Sequence, residues 1–420
     1  MAVKPNLALI PSGVKASKVY SVLPSDGVGD FDFSRSGNAT RINKDGLIET
    51  VASNVPRLNY PLIEGEVSGC PSLLLEPQST NLIAYSEDFS NASWVKRGLT
   101  TVTQNLVSPS GVNNAYTLNF GKFSVNDFYV LGITSVDTEN YAVSFYLKNI
   151  DNLTENITVS NGQSVVAFGQ WTIDLSLVSS TEWERITDNH PAVTVVNPFV
   201  SNGTTIGLQF YSTATDNTLI NIGLWGAQLE QGSYPTSYIP TNGSQVTRSA
   251  ETCNNAGNSN VFNDSEGVLY AETKFLANDN VIDGISINDG STSNRVVFFK
   301  WSTPNTIRVR IANTSTGNVV NENIIVNDIT ETQKIAIKYK LNDFNIYLNG
   351  FKVFSLNNGL TPEALSNLSF NSDGLGGSAF RGQTKDLRTY NTALTDAELE
   401  KLTSYDSFRD MAIAGQYKTY

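Results

Sequence analysis

The chain has 420 residues, too many for one ordinary hydrophobic core, so length alone points to two or three domains. It is 40% hydrophobic and only 16% charged, a balance that excludes a disordered chain. The net charge of −12, with no cluster of Lys and Arg, excludes a phosphate-neutralising surface, so no nucleic-acid partner is expected.

With 17 Tyr, 20 Phe and a polar remainder rich in Asn, Ser, Thr and Gly, the composition reads as strands joined by turns. Cys70 and Cys253 are too few and too far apart for a disulfide framework, and both are expected as free thiols. The opening MAVKPNLALIPSG has one Lys and a short apolar run that meets Pro11. It lacks a signal-peptide core, and no apolar run is long enough to span a bilayer. The expectation is synthesis in a cytoplasm, without membrane insertion.

Residues 1–80 form the first region. Phe31 and Phe33 alternate with Asp30, Asp32 and Ser34, the pattern of a half-buried strand. Asp45-Gly46 suits a hairpin turn. Pro56, Pro61, Pro71 and Pro77 recur too often for a regular domain, which predicts extended segments that wrap another surface or dock to it.

The second region, residues 81–250, carries the large anchors Phe89 and Trp94 and strand-like runs at 141–150, 165–175, 205–213 and 217–230. Many short strands with regular turn signals predict a sandwich or jelly roll. In the last run the apolar set Ile220, Ile222, Leu224 shifts phase to Trp225, Ala227, Leu229, between Gly223 and Gly226, which predicts a β-bulge. SYPTSYIPTNGSQ then reads as a linker.

The third region, residues 251–392, repeats the pattern. Ile335, Ile337 and Tyr339 alternate with lysines, and Asn349-Gly350 between two alternating runs predicts a tight hairpin. Residues 393–420 change character. Thr395 and Glu398 form a capping-box pair, and Leu399, Leu402, Tyr405, Phe408 and Met411 recur every three residues, with a break near Ser404 and a stop at Gly415. The predicted architecture is therefore all-β: two β-sandwich or jelly-roll modules in tandem, after an extended N-terminal region and before a short C-terminal helical segment.

Three stretches resemble known protein types. FSRSGNATRINKDGLIETVASNVPRLNY, continued by CPSLLLEPQSTNLIAYSEDFSNASWVK, resembles a module of bacteriophage tail-fibre and other virion proteins. WGAQLEQGSYPTSYIPTNGSQVTRSAE is similar to the end of the β-domain that follows that module. FRGQTKDLRTYNTALTDAELEKL resembles the last strand and helix of concanavalin-like, laminin-G-type lectin domains. The resemblance implies a phage virion structural protein, fibre-like or spike-like. Its partners would be capsid or tail proteins, further copies of itself as a homotrimer, and a host-surface glycan. The alternatives are a ligand-free capsid decoration or head-fibre protein and a polysaccharide depolymerase.

Candidate chemistry is sparse. The single His190 lies in a polar loop, and one His with two Cys cannot build a zinc site, so no catalytic residue is assigned and an enzyme is not expected. Glu64 with Glu66 and Glu184 with Asp188 are the carboxylate pairs weighed for glycoside hydrolysis. Asp279, Asp283 and Asp289 stand among Asn and Gly, the oxygen-rich chemistry that calcium takes; calcium is the one cofactor with a candidate site. Trp301, Tyr234 and Tyr238 are the aromatic candidates for stacking on a sugar.

Overall fold

The computed structural model describes residues 3–63, 66–67, 69–136, 138–161, 169–201, 203, 205–213, 216, 218–373 and 378–405. Glu64, residues 165–168, residue 217 and the Phe408, Met411 and Gly415 part of the helical reading lie outside them. The described chain is all-β apart from one short 3-10 turn and one helix.

Two sandwiches account for most of it. The central one faces a six-stranded sheet, ordered Val95–Lys96, Phe128–Thr134, Thr205–Ser212, Asn156–Ser160, Gln170–Asp174, Val193–Asn197, against a five-stranded sheet. The latter runs Thr101–Leu106, Ala115–Phe120, Ile220–Gln231, Tyr141–Lys148, Glu184–Ile186. Alternate residues of both sheets fill one core. Phe89 and Trp94 anchor it, with Trp94 stacked on Phe128 at 4.9 Å between ring centres.

The predicted bulge sits in Ile220–Gln231, where Ser144 opposes Gln228 but Tyr146 opposes Trp225. The extra residue resets the parity of the strand. Ile222, Leu224, Ala227 and Leu229 all reach the same core, while Trp225 turns to a second cluster with Ile48, Ala115 and Tyr238.

The second sandwich contains the third region and more. One sheet is ordered Phe351–Leu356, Phe344–Leu348, Gln333–Lys340, Glu266–Phe275, Gly382–Tyr390, Ser72–Leu75, Arg57–Asn59. Leu7–Leu9 also pairs with Gly382–Tyr390, lying end to end with Ser72–Leu75 along the same edge. The facing sheet runs Gly317–Ile325, Thr306–Asn313, Arg295–Lys300, Asp283–Asn288, Asn367–Ser369. Thr252–Asn254 pairs with Phe31–Ser34 beside it. Leu7, Leu9, Phe31, Phe33, Leu73 and Leu75 are all within 3% of full burial and share one core with the third region.

This differs from the tandem arrangement and from the separate wrap over residues 1–80. The first region supplies strands to the last sandwich, and residues 81–245 form a sandwich inserted between the two parts. Strands of three and four residues paired across more than 300 positions carry no local signal of their partner.

Where the chain crosses between the sandwiches, polar groups replace apolar ones. Arg35, Arg57, Arg248, Glu76, Glu230 and Glu251 are all at most 3% exposed. Arg57 donates to Glu76 at 2.8 Å and, through Nε, to Glu251 at 2.9 Å. Arg35 donates to Glu251 at 2.7 Å and Arg248 pairs with Glu76 at 3.0 Å. Ser237, from the predicted linker, donates its backbone N–H and its hydroxyl to Glu76. The residues that carry the first two sequence resemblances thus meet in one buried network.

The second sandwich ends in the helix Asp396–Thr403, whose Thr395 and Glu398 form the predicted capping box. Leu399 and Leu394 pack on Tyr270, Tyr347 and Tyr390, so the helix covers the outer face of the larger sheet.

Candidate functional site

The outer face of the smaller sheet of this sandwich is built from three strands. In Thr306–Asn313, Ile307, Val309 and Ile311 point into the core, which turns Arg308 and Arg310 outward. Register sets their neighbours. Arg308 lies between Phe299 and Asn323, and Arg310 lies between Val297 and Asn321. Arg308 donates Nε to Asn323 at 2.6 Å, and Arg310 donates Nε to Asn321 at 3.2 Å.

Each guanidinium also lies over a ring. The Arg308 carbon Cζ is 3.4 Å from the centre of Trp301, and that of Arg310 is 5.6 Å from the centre of Phe299. Arg308 and Arg310 are half-buried, and burial lowers the pKa of both; for Arg308 the neighbouring Arg310 adds to the effect. Among the described residues neither pairs with a carboxylate.

Arg295, opposite Ala312, continues the row. It is 7% exposed, donates Nη1 to the Ser372 carbonyl at 2.5 Å, and keeps a buried Nε without a hydrogen-bond partner among the described residues. Burial and Arg310 lower its pKa, while Asp373 acts the other way.

The residues singled out from the sequence distribute as follows. Trp301 is on this face, but it carries a guanidinium and does not offer that ring face bare. Tyr238 is 3% exposed, packs on Trp225 at 4.7 Å and donates its hydroxyl to Glu87 at 2.9 Å, so it is a core residue and no platform for a ligand. Tyr234 is half-buried; burial raises its pKa, and Arg381, Asp279 and Asp283 act on it from nearby.

The three aspartates are not brought together. Asp279 and Asp283 both pair with Lys300, and Asp283 also accepts from Arg381 at 3.0 Å. Asp289 closes its own turn, accepting from Ser291 and Asn294. Among the described residues no group of three or more His, Cys, Asp or Glu gathers as a metal would need. The oxygen-rich composition served turns and buried ion pairs.

Of the carboxylate pairs, Glu66 is exposed, and Glu184 faces His190 at 3.4 Å. Asp188 is half-buried, with its pKa raised by burial. Both cysteines are free thiols.

A polar groove of about 500 Å³ also opens on the central sandwich, lined by Glu87, Asp88, Gln104, Asn114 and Tyr116. Burial raises the Glu87 carboxyl against hydrogen bonds from Tyr238 and Asn114. Asp88 is held down chiefly by Ser90 and spends its carboxylate on the loop that follows it.

Sequence reading missed Arg308, Arg310, Asn321 and Asn323. A signal exists: Arg-x-Arg in TIRVRIAN and Asn-x-Asn in GNVVNENII place like residues on one face of adjacent strands.

Residues 273–400 match the family model of the concanavalin A-like lectin/glucanases superfamily, of laminin G type. Similar solved structures include the Ruminococcus gnavus IT-sialidase CBM40 bound to α2,3-sialyllactose, at 14% identity over 35% of this chain and 86% of that one, TM-score 0.29. Domain 4 of AbnA, a GH43 extracellular arabinanase from Geobacillus stearothermophilus in complex with arabinotriose, is similar at 13% identity over 41% and 83%, TM-score 0.29. The leech intramolecular trans-sialidase is similar at 16% identity over 35% of this chain but only 24% of that one, TM-score 0.29. No curated protein matches the sequence.

Proposed function

We propose that the protein is a non-catalytic, particle-attached binding protein that presents its second sandwich to a surface glycan. The observation that carries the glycan half is the outer face of the smaller sheet. There Trp301, Arg308, Arg310, Asn321 and Asn323 stand as an ordered polar and aromatic row, while the helix Asp396–Thr403 caps the opposite face. Ordered side chains on rigid strands suit recognition, because little freedom is lost on binding. The lectin-type family match over residues 273–400 supports the same half.

The sequence resemblance of residues 33–96 and 225–251 to virion proteins supports the attachment half. On this reading the partners are other virion proteins and further copies of the chain, a homotrimer by analogy. The non-catalytic part of the reading is supported by the sparse site chemistry of the sequence, one His and two Cys, and by the weighed pair Glu184 and Asp188, of which Glu184 lies 3.4 Å from His190 and Asp188 is half-buried with its pKa raised by burial.

The test is a glycan array probed with the full chain and with the double variant Trp301→Ala, Arg310→Ala. Selective binding lost in the double variant supports the reading. Binding that survives in the variant moves the site off this face, and no binding to any glycan overturns the glycan half. Immunogold labelling of particles tests attachment, and reducing-end release from bound polysaccharide would replace the binding protein with a depolymerase.

A further inference from the structure

We propose that the ligand of this face is an acidic polysaccharide, its carboxylates or sulfates gripped by Arg308 and Arg310 with Arg295 at the end of the row; this deepens the glycan-binding reading and rests on it. Charge gives the first argument. The chain holds 40 acidic residues against 28 Lys and Arg, so acidic partners for a surface arginine are plentiful. Other cations of the same sandwich use them: Lys300 pairs with Asp279 and Arg381 with Asp283, and on the larger sheet Lys338 pairs with Asp343, Lys340 with Glu266, and Arg388 with Asp386. Arg308 and Arg310 do not, among the described residues, although they stand side by side and repel. Two adjacent cations held without a counter-charge are a standing cost that an anion from outside would offset.

Geometry gives the second argument. The two guanidiniums sit in the same cradle twice over: a cross-strand Asn takes Nε and an aromatic ring lies beneath. That fixes the plane of each fork and leaves its Nη1 and Nη2 donors for a planar, two-oxygen acceptor. Positions two apart on a strand lie about 7 Å apart, so the two half-exposed forks stand side by side along the strand and do not converge on one point, while Arg295 on the adjacent strand is nearly buried and adds its field from below. A polymer with repeated charges fits that spacing better than a single small anion.

The same observations disfavour a neutral sugar. Stacking needs a bare aromatic face. Arg308 covers one face of Trp301, and Phe299 is only 3% exposed.

The experiment uses the full chain with four soluble probes: polygalacturonate, dextran sulfate, dextran and a single-stranded oligonucleotide. Titration calorimetry is run at about 50 and about 300 mM salt, because exposed ion pairs weaken with screening. The variant Arg308→Gln, Arg310→Gln removes the charged fork but keeps an amide N–H close to where Nε stood, a donor for the asparagines, and an unchanged melting temperature establishes that it folds. A lysine pair, Arg308→Lys, Arg310→Lys, keeps charge but loses the fork. The proposal expects binding to polygalacturonate or dextran sulfate that falls with salt, about tenfold or more weaker in the glutamine variant and partly restored in the lysine one. Preference between those two probes separates carboxylate from sulfate. Equal binding to dextran, unaffected by the glutamine variant, overturns the acidic ligand while leaving glycan binding in place. Tightest binding to the oligonucleotide overturns it in favour of nucleic acid. Binding to none of the four probes overturns it, and the neutral glycan array then decides whether the wider reading falls too.

Discussion

Glu76 is 3% exposed and lies against two arginines, which makes it the residue where acid should be felt most. Burial opposes its charge, but Arg248, Arg57 and Ser237 together outweigh burial and bring the carboxyl down to about 2, from an ordinary 4.5. A carboxylate depressed by folding adds stability that is complete above its unfolded value and is lost as pH falls through its folded value. The window is therefore from about pH 4.5 down to about pH 2, and the contribution is on the order of 3 kcal/mol. Glu76→Gln should flatten the fall of the melting temperature across that window. It should also cost about 3–5 kcal/mol at neutral pH, since Arg57 and Arg248 stay buried with one counter-charge fewer. Urea unfolding at pH 7 and melting curves from pH 6 to pH 2 check both; an unchanged acid slope would show that other carboxylates set it.

Among the elements, the bulged strand Ile220–Gln231 depends on one backbone conformation. Gly226 has φ +63°, and a Cβ there would stand 3.2 Å from the Tyr146 ring and 3.3 Å from that of Tyr238. Gly226→Ala should cost about 1–2 kcal/mol from the left-handed backbone alone, with crowding added. Chemical denaturation followed by Trp fluorescence reads this directly, because Trp225 packs against both tyrosines. The element scale is also where the sequence was most legible. Asn349 and Gly350 both take positive φ, as their hairpin requires, and Thr395 caps the helix as its spacing with Glu398 implies. These signals are local, set by a turn or a terminus. The Asp279, Asp283, Asp289 reading failed to gather for the converse reason: composition shows that oxygens are present, but only tertiary position shows that Lys300 and Arg381 have already claimed two of them. Tyr238 misled in the same way, since a loop-like sequence folds back into the core.

For the molecule as a whole, the consequence of the inserted arrangement is that the second sandwich cannot be cut out at its sequence boundary. Residues 251–420, or the shorter matched stretch 273–400, would lose Leu7–Leu9 and Ser72–Leu75 from the edge of Gly382–Tyr390. They would also lose Leu7, Leu9, Phe31, Phe33, Leu73 and Leu75 from the shared core. Six fully buried side chains at about 1.5–3 kcal/mol each amount to roughly 9–18 kcal/mol, as large as the roughly 5–15 kcal/mol by which whole domains are stable. The exposed edge would moreover present unpaired backbone groups flanked by apolar residues, the condition for strand-to-strand aggregation. A fragment of residues 251–420 is therefore expected to be insoluble, or to lack cooperative unfolding. Adding residues 3–80 as a separate chain should restore it, if that segment's role is to complete the sheet. Size-exclusion chromatography and thermal melts of the fragment with and without the added segment decide the matter. A monomeric 251–420 fragment that melts cooperatively near the full chain's temperature would mean that the N-terminal strands decorate a finished sandwich, held in place chiefly by the buried Arg35, Arg57, Glu76 and Glu251 network at the crossing to the central domain.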